Sequence, residues 1–173
     1  VPGSRDWLAH CGSLSKVLSP GLRLGWLVGP PALLANAVMC KQFSDANTST
    51  YAQATAAAYL QSNRLPQAVT QVRKVYAERA ACMAEQLRTQ LGDAVSFVQP
   101  GGGMFFWVRL TGAHGGERDA TAFSQRAVEQ LVAFVPGAPF FAENPDASCF
   151  RMSFATSDLE RIAEGIARMA RAL

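Results

Sequence analysis

The chain has 173 residues, 49% hydrophobic and 17% charged, with a net charge of +3. That is enough apolar material for one good core or two small ones, while the charge is too small and scattered for a nucleic-acid patch; small molecules or a second copy of the chain are the expected partners. Four cysteines with no C-x-x-C pair and two histidines argue against a metal site, no apolar run nears the roughly 18 residues of a membrane span, and no signal peptide is visible, so the chain is read as soluble and cytoplasmic.

Taken in order, Trp7 to Cys11 is a short apolar run ending at Gly12 and predicts a strand that feeds a loop. The loop holds one lysine and one arginine among hydroxyls and glycines, and Leu24 to Val28 predicts the returning strand. Gly29-Pro30-Pro31 opens a helix over Pro31 to Phe43, and the polar Ser44 to Ser49 ends it and caps the alanine-rich helix Thr50 to Gln61. From Pro66 to Leu91, Val69, Val72, Tyr76, Ala80, Met83, Leu87 and Leu91 recur every three or four residues, the mark of one long amphipathic helix.

Beyond Gly92 the pattern turns to strands at Val95 to Val98 and Met104 to Leu110, separated by Pro100-Gly101-Gly102-Gly103. A helix over Ala120 to Leu131, a strand at Val132 to Val135, a loop to Ala147, a strand at Ser148 to Ala155 and a helix over Asp158 to Leu173 complete the chain. The final helix should place Leu159, Ile162, Ile166 and Met169 on one face. The class is α/β, with a boundary inside the long helix near residues 75–85.

The loop Gly12-Ser13-Leu14-Ser15-Lys16-Val17-Leu18-Ser19-Pro20-Gly21-Leu22-Arg23-Leu24-Gly25-Trp26 has the parts of an anion site. A phosphate monoester is held by backbone N–H groups, hydroxyls and the planar fork of an arginine, which Ser13, Ser15 and Arg23 can supply. A neutral lysine amine beside such a site can attack an aldehyde to form a Schiff base, and the two together describe a pyridoxal-phosphate site. On composition alone, a single lysine on a glycine-serine loop such as Lys16 is usually a solvated charge. Ser13 to Lys16 also matches the S-x-x-K of penicillin-binding enzymes, but the K-T-G and S-D-N partners of that motif do not occur.

This loop resembles, nearly residue for residue, the lysine loop of the class I/II aminotransferases, which are fold-type I pyridoxal-phosphate enzymes, and most of all their 2-aminoadipate and kynurenine aminotransferase-like branch. Three further motifs agree in order: Pro100-Gly101-Gly102-Gly103-Met104-Phe105-Phe106-Trp107-Val108, Val135-Pro136-Gly137-Ala138-Pro139-Phe140-Phe141 and Phe150-Arg151-Met152-Ser153-Phe154-Ala155. The resemblance implies a cofactor, pyridoxal 5'-phosphate, held covalently by Lys16, with its phosphate on Ser13, Ser15 and Arg23. It implies that Lys16 also moves the proton between substrate Cα and cofactor C4′, and that Arg151 clamps the substrate α-carboxylate. The implied reaction moves an amino group between an L-amino acid and a 2-oxo acid such as 2-oxoglutarate, in a homodimer.

Strand alternation bears on Arg151 without the resemblance: Phe150, Met152 and Phe154 should face the core while Arg151 and Ser153 face away. By itself that pattern favours a surface arginine on a half-buried strand over a carboxylate clamp. Phe105, Phe106 and Trp107 are read as core. Phe140 and Phe141 could line a pocket or cover a domain seam, Asn47 and Thr48 could cap a helix or approach a dimer-related site, and His10 and His114 are read as strand and loop residues.

Members of this family carry, ahead of the lysine loop, a segment with a glycine-rich phosphate turn, an aromatic that stacks on the pyridine ring, and an aspartate for the ring nitrogen. None is found here, and the first residue is Val1 rather than Met. The resemblance therefore implies the C-terminal part of the fold. Residues 1–78 would be the remainder of the large domain, with an incomplete sheet and the start of the interdomain helix, and 79–173 an α+β small domain; the chain alone should be inactive. Two alternatives stand beside the enzyme: a cofactor-sensing domain of a winged-helix transcription regulator, and a catalytically dead remnant or partner subunit.

Overall fold

The computed structural model describes residues 3, 6–113, 116 and 118–173; His114 lies outside them. The chain divides into two compact units, Val1–Gln71 and Val72–Leu173, and the division falls within one helix.

The first unit begins with an antiparallel ribbon, β1 (His10–Ser13) against β2 (Gly25–Val28), in which His10 pairs with Val28 and Ser13 with Gly25. The strand expected at Trp7 to Cys11 thus starts three residues later, and Trp7 and Leu8 are exposed. Two helices follow, α1 (Pro31–Asp45) and α2 (Thr50–Gln61). Pro31 supplies the fixed φ that suits a first helical turn, and the Ser49 hydroxyl caps α2 by accepting from the Ala52 amide at 3.3 Å. Among the described residues few are buried here: Leu24, Ala52 and Ala56, with Leu14, Leu18 and Leu22 half-buried against them. No residue of α1 is buried.

Helix α3 (Leu65–Gln86) continues into a π-helical turn, Leu87–Leu91. Its amphipathic face is used unevenly: Ala80, Met83, Ala84, Leu87 and Leu91 are buried and Tyr76 is half-buried, but Val72 and Val75 are exposed. In the second unit β3 (Val95–Phe97), β4 (Phe105–Leu110), β5 (Val135–Pro136) and β6 (Cys149–Ser153) form an antiparallel sheet in the order β3-β4-β6-β5. Of the strand expected at Val132 to Val135 only Val135 pairs, and the observed strand continues to Pro136; Leu131 adopts a left-handed backbone (φ 62°) just after helix α4 (Ala120–Glu129) ends.

One face of this sheet, with Phe106, Val108, Leu110, Phe150 and Met152, is buried with α3, α4 and helix α5 (Leu159–Ala172) in one core. The sequence encodes this directly, since alternate residues of a strand share a face. Along α5 the buried stripe is Ile162, Ile166, Met169 and Ala172; Leu159, expected on it, is exposed because it opens the helix just after Asp158, whose carboxylate caps the Arg161 amide at 2.8 Å. No helix among the described residues is long and apolar enough to cross a membrane.

Candidate active site residues in two units

The loop between β1 and β2 is built by its leucines. The ribbon pairing extends one step beyond Ser13 and Gly25, with the Leu14 amide donating to the Leu24 carbonyl at 3.0 Å. The amides of Leu18 and Ser19 both donate to the Leu14 carbonyl, at 2.9 and 3.1 Å, closing a helical turn. Leu14 and Leu18, four apart, therefore lie together on the side packed against Leu24, Ala52 and Ala56, while Lys16 between them is exposed.

The same turn gathers the polar groups. The Ser13 hydroxyl accepts from the Ser15 amide at 3.1 Å and donates to the Leu24 carbonyl at 3.4 Å. Arg23 closes the neck of the loop with φ 53° and ψ 38°, a left-handed conformation in a residue with a Cβ, and its amide and Nη1 both donate to the Pro20 carbonyl at 3.4 Å. Neither long bond uses up the guanidinium. Gly12 is required by packing: a Cβ there would enter the indole of Trp26, its partner across the ribbon. The loop thus offers hydroxyls, a guanidinium and an exposed amine, a donor set that fits a phosphate-bearing aldehyde.

Arg151 lies in the second unit. On β6 it pairs with Trp107 of β4 and Val135 of β5, and it is half-buried while Phe150 and Met152 on either side are buried, so it faces away from the core. Its Cζ lies 4.3 Å from the centre of the Phe105 ring and 4.5 Å from that of Phe140. Trp107 meets Phe140 and Phe141 at 5.8 and 5.9 Å between ring centres. The reading of Phe105, Phe106 and Trp107 as core is corrected here: Phe106 is fully buried, but Trp107 is exposed and Phe105 is half-buried, because the two share the opposite face of β4. Strict alternation from Phe106 would have shown this.

A second arginine on that face of β4 behaves differently. Arg109 Nη2 pairs with Asp146 Oδ2 at 2.9 Å. The Asp146 carboxyl is held below its ordinary range first by the Ser148 hydroxyl and then by the Ser148 amide, with Cys149 and Arg109 adding less. Arg151, by contrast, has no carboxylate within 4 Å among the described residues.

The fold of each unit and the lysine loop point to one class of protein. Residues 3–169 match the family model for aminotransferase class I and II, and the chain belongs to that family. It is 40% identical over 164 residues to the 2-aminoadipate transaminase of Thermus thermophilus, covering 95% of this chain and 40% of that protein. Among solved structures, LysN, an alpha-aminoadipate aminotransferase from Thermus thermophilus complexed with N-(5'-phosphopyridoxyl)-L-leucine, superposes with a TM-score of 0.81 at 40% identity, covering 95% of this chain and 41% of that one. The HTH-type transcriptional regulator YdfD of Bacillus subtilis is 30% identical over 91% of this chain and 31% of its own length. The chain thus spans about two-fifths of the length of the aminotransferases it matches.

Proposed function

We propose that this chain carries the lysine-bearing and carboxylate-binding portions of a pyridoxal-phosphate-dependent aminotransferase that moves an amino group between an L-amino acid and a 2-oxo acid, with 2-oxoglutarate as acceptor. The observation that carries the reading is the β1–β2 loop, where Ser13, Ser15 and Arg23 border the turn that exposes Lys16. When bound, pyridoxal phosphate supplies an electron sink for the negative charge that develops at substrate Cα.

Ser13, Ser15 and Arg23 would bind the phosphate, the arginine with charge-assisted hydrogen bonds. Lys16 would hold the cofactor covalently until substrate displaces it, then take the Cα proton and return it at C4′. Arg151 would orient the substrate through its α-carboxylate. Four free cysteines support a reducing compartment, here the cytoplasm. Assembly as a homodimer is supported by α1, on which Leu33, Val38, Met39 and Phe43 stand exposed.

The chain has three lysines, Lys16, Lys41 and Lys74, which makes the test direct. Incubation with pyridoxal phosphate, borohydride reduction and peptide mapping should place the phosphopyridoxyl group on Lys16, and Lys16→Ala should remove it. Equal labelling of Lys16, Lys41 and Lys74 would refute the assignment.

The match to YdfD favours a second reading, in which the same loop belongs to a cofactor-sensing domain of a transcription regulator. The two differ in outcome in the whole protein, not in this chain alone: a whole enzyme releases a 2-oxo acid from a supplied amino acid, whereas a whole sensor retains the cofactor without releasing product.

A further inference from the structure

We propose that Phe105 and Phe140 are positioning residues for Arg151, orienting its guanidinium by stacking in place of a carboxylate. The inference rests on the reading of Arg151 as the site of the substrate carboxylate. A guanidinium on a half-buried strand can be fixed in two ways. An acidic partner orients it but neutralises it and occupies the fork of N–H donors that an incoming carboxylate needs; Arg109 is held this way by Asp146. An aromatic face attracts the cation through the ring quadrupole and leaves the donors, which lie in the guanidinium plane, free.

Arg151 has the second arrangement, with two rings 4.3 and 4.5 Å from Cζ. Phe105 comes from β4, two residues from Trp107, the residue that pairs with Arg151 across the sheet. Phe140 comes from the 3-10 turn Ala138–Phe140, which the structure fixes from both sides. At its base the Gly137 amide donates to the Cys149 carbonyl at 2.6 Å, and a Cβ on Gly137 would lie only 2.6 Å from that same oxygen. At its tip the Phe140 ring packs edge-on against Trp107. The motif Val135 to Phe141 therefore has a local purpose: glycine brings the turn close enough to β6 for the second ring to reach the arginine two residues from Cys149.

The test is the Arg151 side-chain Nε–Hε resonance in the full chain, assigned by its loss in Arg151→Lys and titrated with 2-oxoglutarate. It should be displaced by ring currents from the position of exposed arginines, and 2-oxoglutarate should shift it. In Phe140→Leu the resonance should move towards the exposed position and the affinity should fall about three- to tenfold, while Phe140→Tyr should restore both. Affinity that is lost in Arg151→Lys yet unchanged in Phe140→Leu would overturn the stacking role alone. A ring-shifted resonance that 2-oxoglutarate never moves would refute the carboxylate-binding reading itself, and the inference with it.

Discussion

Gly12 and Arg23 show how much of the loop is decided by single backbone positions. Arg23 holds a left-handed φ of 53° that costs an ordinary residue about 1–2 kcal/mol, and the charge is nevertheless placed there. Gly12 has an unremarkable backbone, and its constraint is the Trp26 indole lying where a side chain would start. Gly12→Ala should destabilise the chain by about 1–3 kcal/mol through overpacking, read as a lower midpoint in chemical denaturation. Adding Trp26→Ala should return most of that loss, because the indole is the obstacle; a loss that persists in the double variant would contradict the packing account.

At the scale of elements, the β4–β6 pair carries both arginines, and its Arg109 end responds to acid. Because the folded Asp146 carboxyl lies below its ordinary value of 3.8, its contribution to stability is complete above that value. It is lost as pH falls through the depressed folded value. Denaturation midpoints of the wild type and Asp146→Asn should therefore differ at pH 7 and draw together as pH falls below 3.8.

These strands also show what the sequence could and could not disclose. The alternation of Phe150, Met152 and Phe154 against Arg151 was legible because a period of two follows from strand geometry. The aromatic surroundings of Arg151 were not, since Phe140 reaches it through a turn whose course depends on one glycine packed on β6. The lysine loop could be read for its residue types but not for its shape: that Leu14 and Leu18 anchor it on α2 while Lys16 faces outward depends on a helical turn that residue types alone do not specify. The helix ends shifted for a similar reason, with caps such as Asp158 deciding which leucine is left exposed.

Across the whole molecule the two units are stabilised unequally. The second buries Phe106, Phe123, Phe150, Phe154, Ile166 and Met169 almost completely, each worth about 1.5–3 kcal/mol of transfer free energy. Among the described residues, the first buries one leucine and two alanines. Amide hydrogen exchange should therefore be slowest in β4, β6 and α5 and fast through α1, with protection factors at least about a hundredfold apart. Uniform protection across both units would contradict this distribution of the core.

The β1–β2 ribbon has a consequence for handling the protein. Each strand has one neighbour among the described residues, so the outer backbone groups of both are open to pairing along their length. Exposed Trp26 and Val28 sit beside those groups, and nothing charged on either strand discourages a newcomer. The ribbon that presents the lysine therefore has, among the described residues, two edges on which a further strand could pair.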